Sequence, residues 1–362
     1  MTSLKTKLCG IEMDSPFVLG SGPLSYSADG LIAASKAGCG AVVTKTILPE
    51  AAVNPVPHMW KSGNNSLINS ELWADYDAER WLNEEIPKAK EGGVKVLIAN
   101  CGGTTEEAVE IAKRAEKAGA DIIEIGCGYL DPGDFWTRTK SVKEAVSIPV
   151  LVKVNYNWKN TPEVALQCLE AGASGITAMD SIGPAFRIDI NTGKPVVGGD
   201  DGYGWITGES ILPFTMRVVH DIALKANSEI IGLGGIIKAS DAVEMLMAGA
   251  TACGICTAPI MRGINYVTQL NKDLASLMEK LGYSSIEEMS RKSIKVGIQD
   301  TPYSPEHFRF DNSKCTHCGK CQTVCCYSAR KLTSDANTVD SSRCRSCGLC
   351  FSSCPTGAIF LK

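Results

Sequence analysis

The sequence predicts an α/β chain. A (β/α)8 TIM barrel fills residues 1–282, a connector follows over 283–310, and a small cysteine-rich domain closes the chain over 311–362. Three observations predict this. Eight short β-branched runs alternate with amphipathic stretches, as strand–helix units of a barrel do. No GxGxxG turn opens an early helix, which weakens the competing doubly wound open sheet. At Asp311 the composition changes abruptly to Cys, Ser and Thr.

In order, the predicted strands are Pro16–Gly20, Ala41–Lys45, Val94–Asn100, Asp121–Gly126, Pro149–Asn155, Gly175–Asp180, Glu229–Leu233 and Ala252–Cys256. The clearest intervening helix is Glu106–Ala118, with apolar residues at helical spacing. The connector carries a helical stretch, Ser285–Lys292, and then a Pro-bearing segment that breaks regular structure. With 362 residues and 44% hydrophobic side chains, the chain can bury a large core. A formal net charge of −4 argues against nucleic acid as the main partner.

The chain has 16 cysteines, half of them in two tight runs near the end. The start of the chain reads as neither a signal nor a transit peptide, and no apolar run is long enough to span a bilayer. The expectation is a reducing, cytoplasmic setting without a membrane partner, in which the tight spacing signifies metal and not disulfides.

The two runs are Cys315-x2-Cys318-x2-Cys321-x3-Cys325 and Cys344-x2-Cys347-x2-Cys350-x3-Cys354-Pro355. Both carry bacterial ferredoxin spacing, in which three thiolates come from one loop and the fourth crosses from the other motif. By that rule Cys315, Cys318, Cys321 and Cys354 hold one [4Fe–4S] cluster, and Cys344, Cys347, Cys350 and Cys325 the other. Structural zinc is the competing reading; two complete tandem runs favour the clusters. Cys326 stands where the first motif usually has Pro, either as a bystander or as a perturbation of that cluster.

Lys45 and Lys153 end predicted strands, so both ammonium groups are expected at the barrel mouth. Alone, either reads as a surface charge. Together they suit a reduced flavin, whose negative charge builds up on the ring. The glycines Gly234-Gly235 after strand seven, and the small-residue turn at Cys256-Thr257 after strand eight, fall where barrels bind phosphate. Cys127, just past strand four, precedes a Gly- and Pro-containing loop that could move over a substrate. Cys9, Cys39, Cys101, Cys168 and Cys253 read as plain buried hydrophobes.

Taken together, Ser15–Pro23, Val43–Thr46, Ser66–Glu71, the Cys127 loop, Lys153, Gly234-Gly235, Cys256–Ala258 and the two cysteine runs resemble the dihydroorotate dehydrogenase family. Within it they are most similar to the FMN/substrate domain plus C-terminal ferredoxin domain of dihydropyrimidine dehydrogenases, with the chain as the catalytic subunit of a split enzyme. The resemblance implies that Ser21, Gly22, Lys45, Thr46, Asn100, Lys153 and Gly208 contact FMN. It implies that Gly234, Gly235, Cys256 and Thr257 hold its phosphate, that Asn69, Glu124, Asp180 and Ser181 face substrate, and that Cys127 moves a proton. Arg187 reads as either an anion contact or a solvated loop cation, and His58 as ligand or filler.

Two departures stand out. The family's Asn-Leu-Ser-Cys-Pro reads Glu124-Ile-Gly-Cys-Gly here, and its Asn-Thr after strand six reads Asp180-Ser181. An amide donates and accepts, whereas an ionised carboxylate only accepts. The expectation is a substrate richer in N–H donors than uracil, or cationic, or else an acid held protonated in a dry site. The leading functional expectation is reduction or oxidation of a C=C/C–C bond in a pyrimidine or related cyclic amide. Dihydroorotate-type dehydrogenation, and an electron relay that binds no small substrate, are the alternatives. The resemblance further implies an NAD(P)H-oxidising flavoprotein or a ferredoxin as redox partner, and a homodimer or hetero-oligomer.

Overall fold

The computed structural model describes residues 2–126, 132–296, 308–333 and 337–361. The chain divides into two compact units, 1–297 and 298–362.

In the first unit eight parallel strands close into a barrel: β1 (Phe17–Leu19), β2 (Ala41–Val43), β3 (Leu97–Cys101), β4 (Ile122–Ile125), β5 (Val150–Val154), β6 (Gly175–Ala178), β7 (Glu229–Leu233) and β8 (Ala252–Ile255), each paired with the next and β8 with β1. Every predicted strand is present. Strands of a closed parallel sheet are covered on both faces, so they read as nearly continuous apolar runs and not as alternations. All five residues of β5 (VLVKV), its lysine included, are buried.

The helix Thr105–Ala118 shows how the outer ring forms. Thr104 and Glu107 make a reciprocal capping box at its start, and Gly119 ends it in the left-handed conformation. Its Ala108, Ile111, Ala112 and Ala115 make one buried stripe. Inside the barrel Val18, Val43, Ile98, Ile122, Leu151 and Ile231 form a separate core. An antiparallel hairpin, Thr6–Leu8 with Ile11–Met13, adds Leu8 and Met13 to that core.

A four-stranded antiparallel sheet is inserted after β2 and β6. Its strands are Met59–Lys61, Ser66–Asn69, Gly204–Gly208 and Ile182–Ala185. Both insertions leave from the carboxyl ends of barrel strands, the end at which barrel enzymes build their sites. The expected connector is divided between the units. Helices Ile286–Met289 and Lys292–Val296 fall within the first, while β9 (Phe308–Phe310) pairs with a strand of the second.

The second unit contains β9, β10 (Arg330–Leu332), β11 (Asn337–Val339) and β12 (Ile359–Leu361). β9 pairs with β12 and β10 with β11, both antiparallel. A one-turn helix carries the third cysteine of each run, Cys321 in Lys320–Thr323 and Cys350 in Leu349–Ser352. Among the described residues no helix is long and apolar enough to cross a membrane.

Candidate active site

The barrel mouth holds one cleft. One part is lined by Ser21, Gly22, Lys45, Thr46, Asn69, Glu71 and Lys153, among others. The adjoining part is lined by Gly208, Gly234, Gly235, Cys256 and Thr257. The two share Ser21, Lys153, Asp180, Ser181, Thr207 and Cys256. Residues from strand ends scattered over more than two hundred positions are thereby gathered at one end of the barrel.

The two lysines stand where the sequence puts them, but their charge is already met. Lys45 Nζ lies 2.9 Å from Glu71 Oε2, with both side chains less than a tenth exposed. Lys153 Nζ lies 3.1 Å from Asp180 Oδ2. Both cations expected at the mouth are there, and each arrives at the cleft as half of an ion pair, which their positions in the strands did not indicate. The cause is desolvation, since a buried ammonium is tolerated only beside an anion. Glu71, the partner of Lys45, has no role among the sequence expectations. Its signal was a lone acid ending the Ser66–Glu71 segment. Thr207, whose hydroxyl bonds Thr257 at 3.0 Å, was missed altogether.

Glu124 does not line the cleft. It is fully buried inside the barrel, beside Asn100 in the β3–β4 register. Asn100 Nδ2 donates to Glu124 Oε1 at 2.5 Å, and Thr177 Oγ1 donates to Oε2 at 2.5 Å. Burial raises the carboxyl's pKa, opposed by Lys153 and by these two bonds. The departure Asn-to-Glu is thus answered by protein donors, and the inference of a donor-rich or cationic substrate loses this support. Asp180 likewise spends one oxygen on Lys153, while its Oδ1 accepts from Ser181 N at 2.8 Å.

The cleft fits a flavin on two counts. Asn100, which stands behind the residues lining the cleft, is wholly buried, and its Oδ1 has no partner among the described residues. A buried carbonyl oxygen without a donor marks a site that a ligand's N–H completes. The second count is the glycine cradle. Gly234 and Gly235 have φ of 128° and 91°. A Cβ at Gly235 would stand 2.5 Å from Leu212 Cα. Only glycine allows this backbone, whose close packing on Leu212 holds the turn at the cleft, at the place where barrels bind phosphate. Cys256 lies beside it; burial and the Glu71 charge push its thiol up to about 11 against the opposing pull of Lys153 and Lys45, so it stays protonated.

Cys127 lies outside the described residues. Arg187 is exposed and bonds Ser62, and His58 Nδ1 contacts Pro55 O; neither lines the cleft. Cys39, Cys101, Cys168 and Cys253 are buried. Cys9, half-buried, belongs to the hairpin turn between Thr6–Leu8 and Ile11–Met13.

In the second unit backbone amides point at cysteine sulfurs. His317 N donates to Cys315 Sγ at 3.4 Å and Ser346 N to Cys344 Sγ at 3.4 Å. Ala329 N donates to Cys325 Sγ at 3.3 Å. Partial burial raises the Cys325 and Cys354 thiols, but the backbone N–H groups turned towards each outweigh it and leave both lowered. Among the described residues no three His, Cys, Asp or Glu side chains converge as the ligands of one ion do. The thiolates of a cubane each take a different iron and stand further apart. Eight thiols at ferredoxin spacing, with N–H···S donors, fit iron–sulfur clusters. Cys326 Sγ is exposed and contacts only its neighbour Val324 O, at 3.6 Å, among the described residues.

Comparison with known proteins agrees with this geometry. The family profile described as Dihydroorotate dehydrogenase matches residues 135–278, and two described as 4Fe-4S binding domain match 337–360 and 312–328. The dihydroorotate dehydrogenase B (NAD(+)) catalytic subunit of Methanothermobacter thermautotrophicus is 31% identical over 304 residues, 79% of this chain and 97% of that protein. The proteins of the same name from Pyrococcus abyssi and Pyrococcus furiosus are each 31% identical over 81% of this chain and 100% of their own length. The chain therefore belongs to the dihydroorotate dehydrogenase family, as a flavin- and iron–sulfur-dependent oxidoreductase whose TIM barrel is followed by ferredoxin-type 4Fe-4S motifs.

Proposed function

We propose that the protein carries out dihydroorotate-type chemistry, interconverting a CH–CH and a C=C bond in a six-membered cyclic amide bound beside FMN at the barrel mouth. The observation that carries this reading is the cleft itself, where Asn69 and the Lys45–Glu71 and Lys153–Asp180 pairs face one space next to the glycine cradle. The names of the relatives support the reaction type. When bound, FMN supplies the hydride acceptor and donor.

The chain's residues do the rest. Gly234, Gly235 and Thr257 would hold the phosphate, and Asn100 Oδ1 would accept a ring N–H. Lys45 and Lys153 would line the ring edge, with Glu71 and Asp180 keeping the site near neutral. Asn69 holds a fixed orientation because its Nδ2 donates to Trp205 O at 3.1 Å, and its amide oxygen is the atom offered to substrate. Cys127 would move the proton, as the family resemblance implies. The two cysteine runs of the second unit would hold two [4Fe–4S] clusters, which would supply electron transfer to or from a partner, an NAD(P)H-oxidising flavoprotein subunit or a ferredoxin.

The ion pairs favour a second reading of the substrate. Orotate carries a carboxylate and calls for an uncompensated cation, whereas both cleft lysines are paired. A neutral ring such as uracil or thymine suits that charge balance, and the tandem clusters match the ferredoxin domain of dihydropyrimidine dehydrogenases.

The test is anaerobic reduction of the purified protein with dithionite, followed by addition of orotate, uracil and thymine while flavin absorbance is watched. Reoxidation by orotate supports the first reading, and by uracil or thymine the second. Reoxidation by an added ferredoxin alone overturns both in favour of a relay. In a Cys127→Ala variant a relay keeps its electron flux, whereas the proposed enzyme loses turnover and still reduces its flavin.

A further inference from the structure

The second unit is a repeat whose two halves lie 29 residues apart, Cys315 with Cys344 and Cys325 with Cys354. The repeat is exact in backbone detail. His317 and Ser346 have φ of 52° and 53°; Gly319 and Gly348 have φ of 73° and 78°. Asp311 and Asp340 each accept from the residue two positions on, Ser313 and Ser342. Backbone N–H groups two, four and five residues beyond Cys325 and Cys354 turn towards those sulfurs in both halves.

The halves differ where one pair of side chains is concerned. Ile359, the counterpart of Arg330, is buried, and Phe308 is the counterpart of Asn337. In the first half Arg330, only 6% exposed, donates from Nη1 to Asn337 Oδ1 at 2.7 Å. Asn337 Nδ2 in turn donates to Cys321 Sγ at 3.4 Å. Neither Ile359 nor Phe308 has a side-chain donor, so Cys350, the counterpart of Cys321, receives no such bond from them. Arginine stays protonated in proteins. A buried cation thus polarises an amide aimed at one ligand sulfur, in one half only.

Hydrogen bonds to the sulfurs and nearby positive charge stabilise the reduced cluster, which carries one more negative charge. We propose that Asn337, oriented by Arg330, makes the cluster held by Cys315, Cys318, Cys321 and Cys354 the higher-potential member of the pair. An electron arriving on either cluster then comes to rest on the Cys321 side and leaves the other cluster oxidised. The guanidinium also lies near Cys325, which serves the other cluster, so the amide–sulfur bond is the element that separates the two. This inference rests on the reading of the second unit as a two-cluster module.

The experiment is an anaerobic potentiometric titration of the full-length, cluster-loaded protein, followed by electron paramagnetic resonance, with Asn337→Asp and Asn337→Leu beside the parent. Asp still accepts from Arg330 but has no N–H to give Cys321; Leu removes the donor without adding charge. The parent shows two separate one-electron steps. In both variants the higher step falls by a tenfold change in the electron's partition, about 59 mV for a one-electron couple, and the lower step stays. If Asn337→Leu does not fold, Asn337→Asp alone decides. Unmoved steps in a protein with both clusters, or movement of the lower step instead, overturn the proposal. Iron and sulfide analysis showing fewer than two clusters in the parent overturns the reading beneath it and the proposal with it.

Discussion

Lys153 Nζ lies 3.1 Å from Asp180 Oδ2 at the edge of the cleft, the lysine from the fifth barrel strand and the aspartate two residues past the sixth. This pair sets the charge next to the place where a flavin ring would lie. An unpaired lysine there would favour the anionic, reduced ring; a paired one favours it less.

Asp180→Asn should remove the carboxylate charge that stands 3.1 Å from Lys153 Nζ. The expected outcome is a more positive midpoint potential for bound flavin, with a lower melting temperature for the flavin-free protein. A dye-coupled reduction assay and a thermal melt read the two effects. An unchanged potential would mean that the pair does not reach the ring.

The Lys45–Glu71 pair is more deeply buried and should behave as a structural unit. Removing one partner strands a charge, and Glu71→Leu should cost about 3–5 kcal/mol, the usual scale for breaking a buried pair. Lys45→Met combined with Glu71→Leu should recover most of that loss. Chemical denaturation of the four proteins of this double-mutant cycle checks it.

Glu124 predicts a pH dependence. Its pKa in the fold is raised above the ordinary 4.5, chiefly by burial. A group raised in this way adds stability below its unfolded pKa and loses it as pH rises through the folded value. Relative to Glu124→Gln, which never ionises, the parent should therefore lose stability as pH increases from about 4.5. Denaturation curves at several pH values for both proteins show whether the difference falls with pH; a flat difference would contradict it.

Gly235→Ala tests the cradle. The alanine would have to adopt a φ of 91° with its Cβ against the Leu212 backbone. The expected cost is on the order of 1–3 kcal/mol, with flavin lost on desalting. Flavin content by absorbance after gel filtration is the measurement.

The sequence was sufficient for the eight strands and the tandem cysteine runs. Both signals are local: a strand buried on two faces must be apolar throughout, and a cluster loop needs its thiols at fixed short spacing. The ends of β2 and β5 are likewise local, so Lys45 and Lys153 could be placed at the barrel mouth from their position in the strand. Its place after strand seven pointed to the glycine cradle, family resemblance added Asn69, and the structure brings those residues to the same cleft.

Tertiary structure alone decided what these residues face. Whether a strand residue points into the barrel or towards its mouth depends on register and closure, which is why Glu124 turns out to meet Thr177 on β6 and not a substrate. Ion pairing between Lys45 and Glu71 depends on an inserted sheet folding back over the strand ends, and nothing in either residue's neighbourhood announces the other. The same holds for Arg330 and Asn337, which only strand pairing brings alongside Cys321. Spacing along a chain specifies which groups one loop can offer. Their electrostatic state depends on the partners that packing leaves beside them once water is gone.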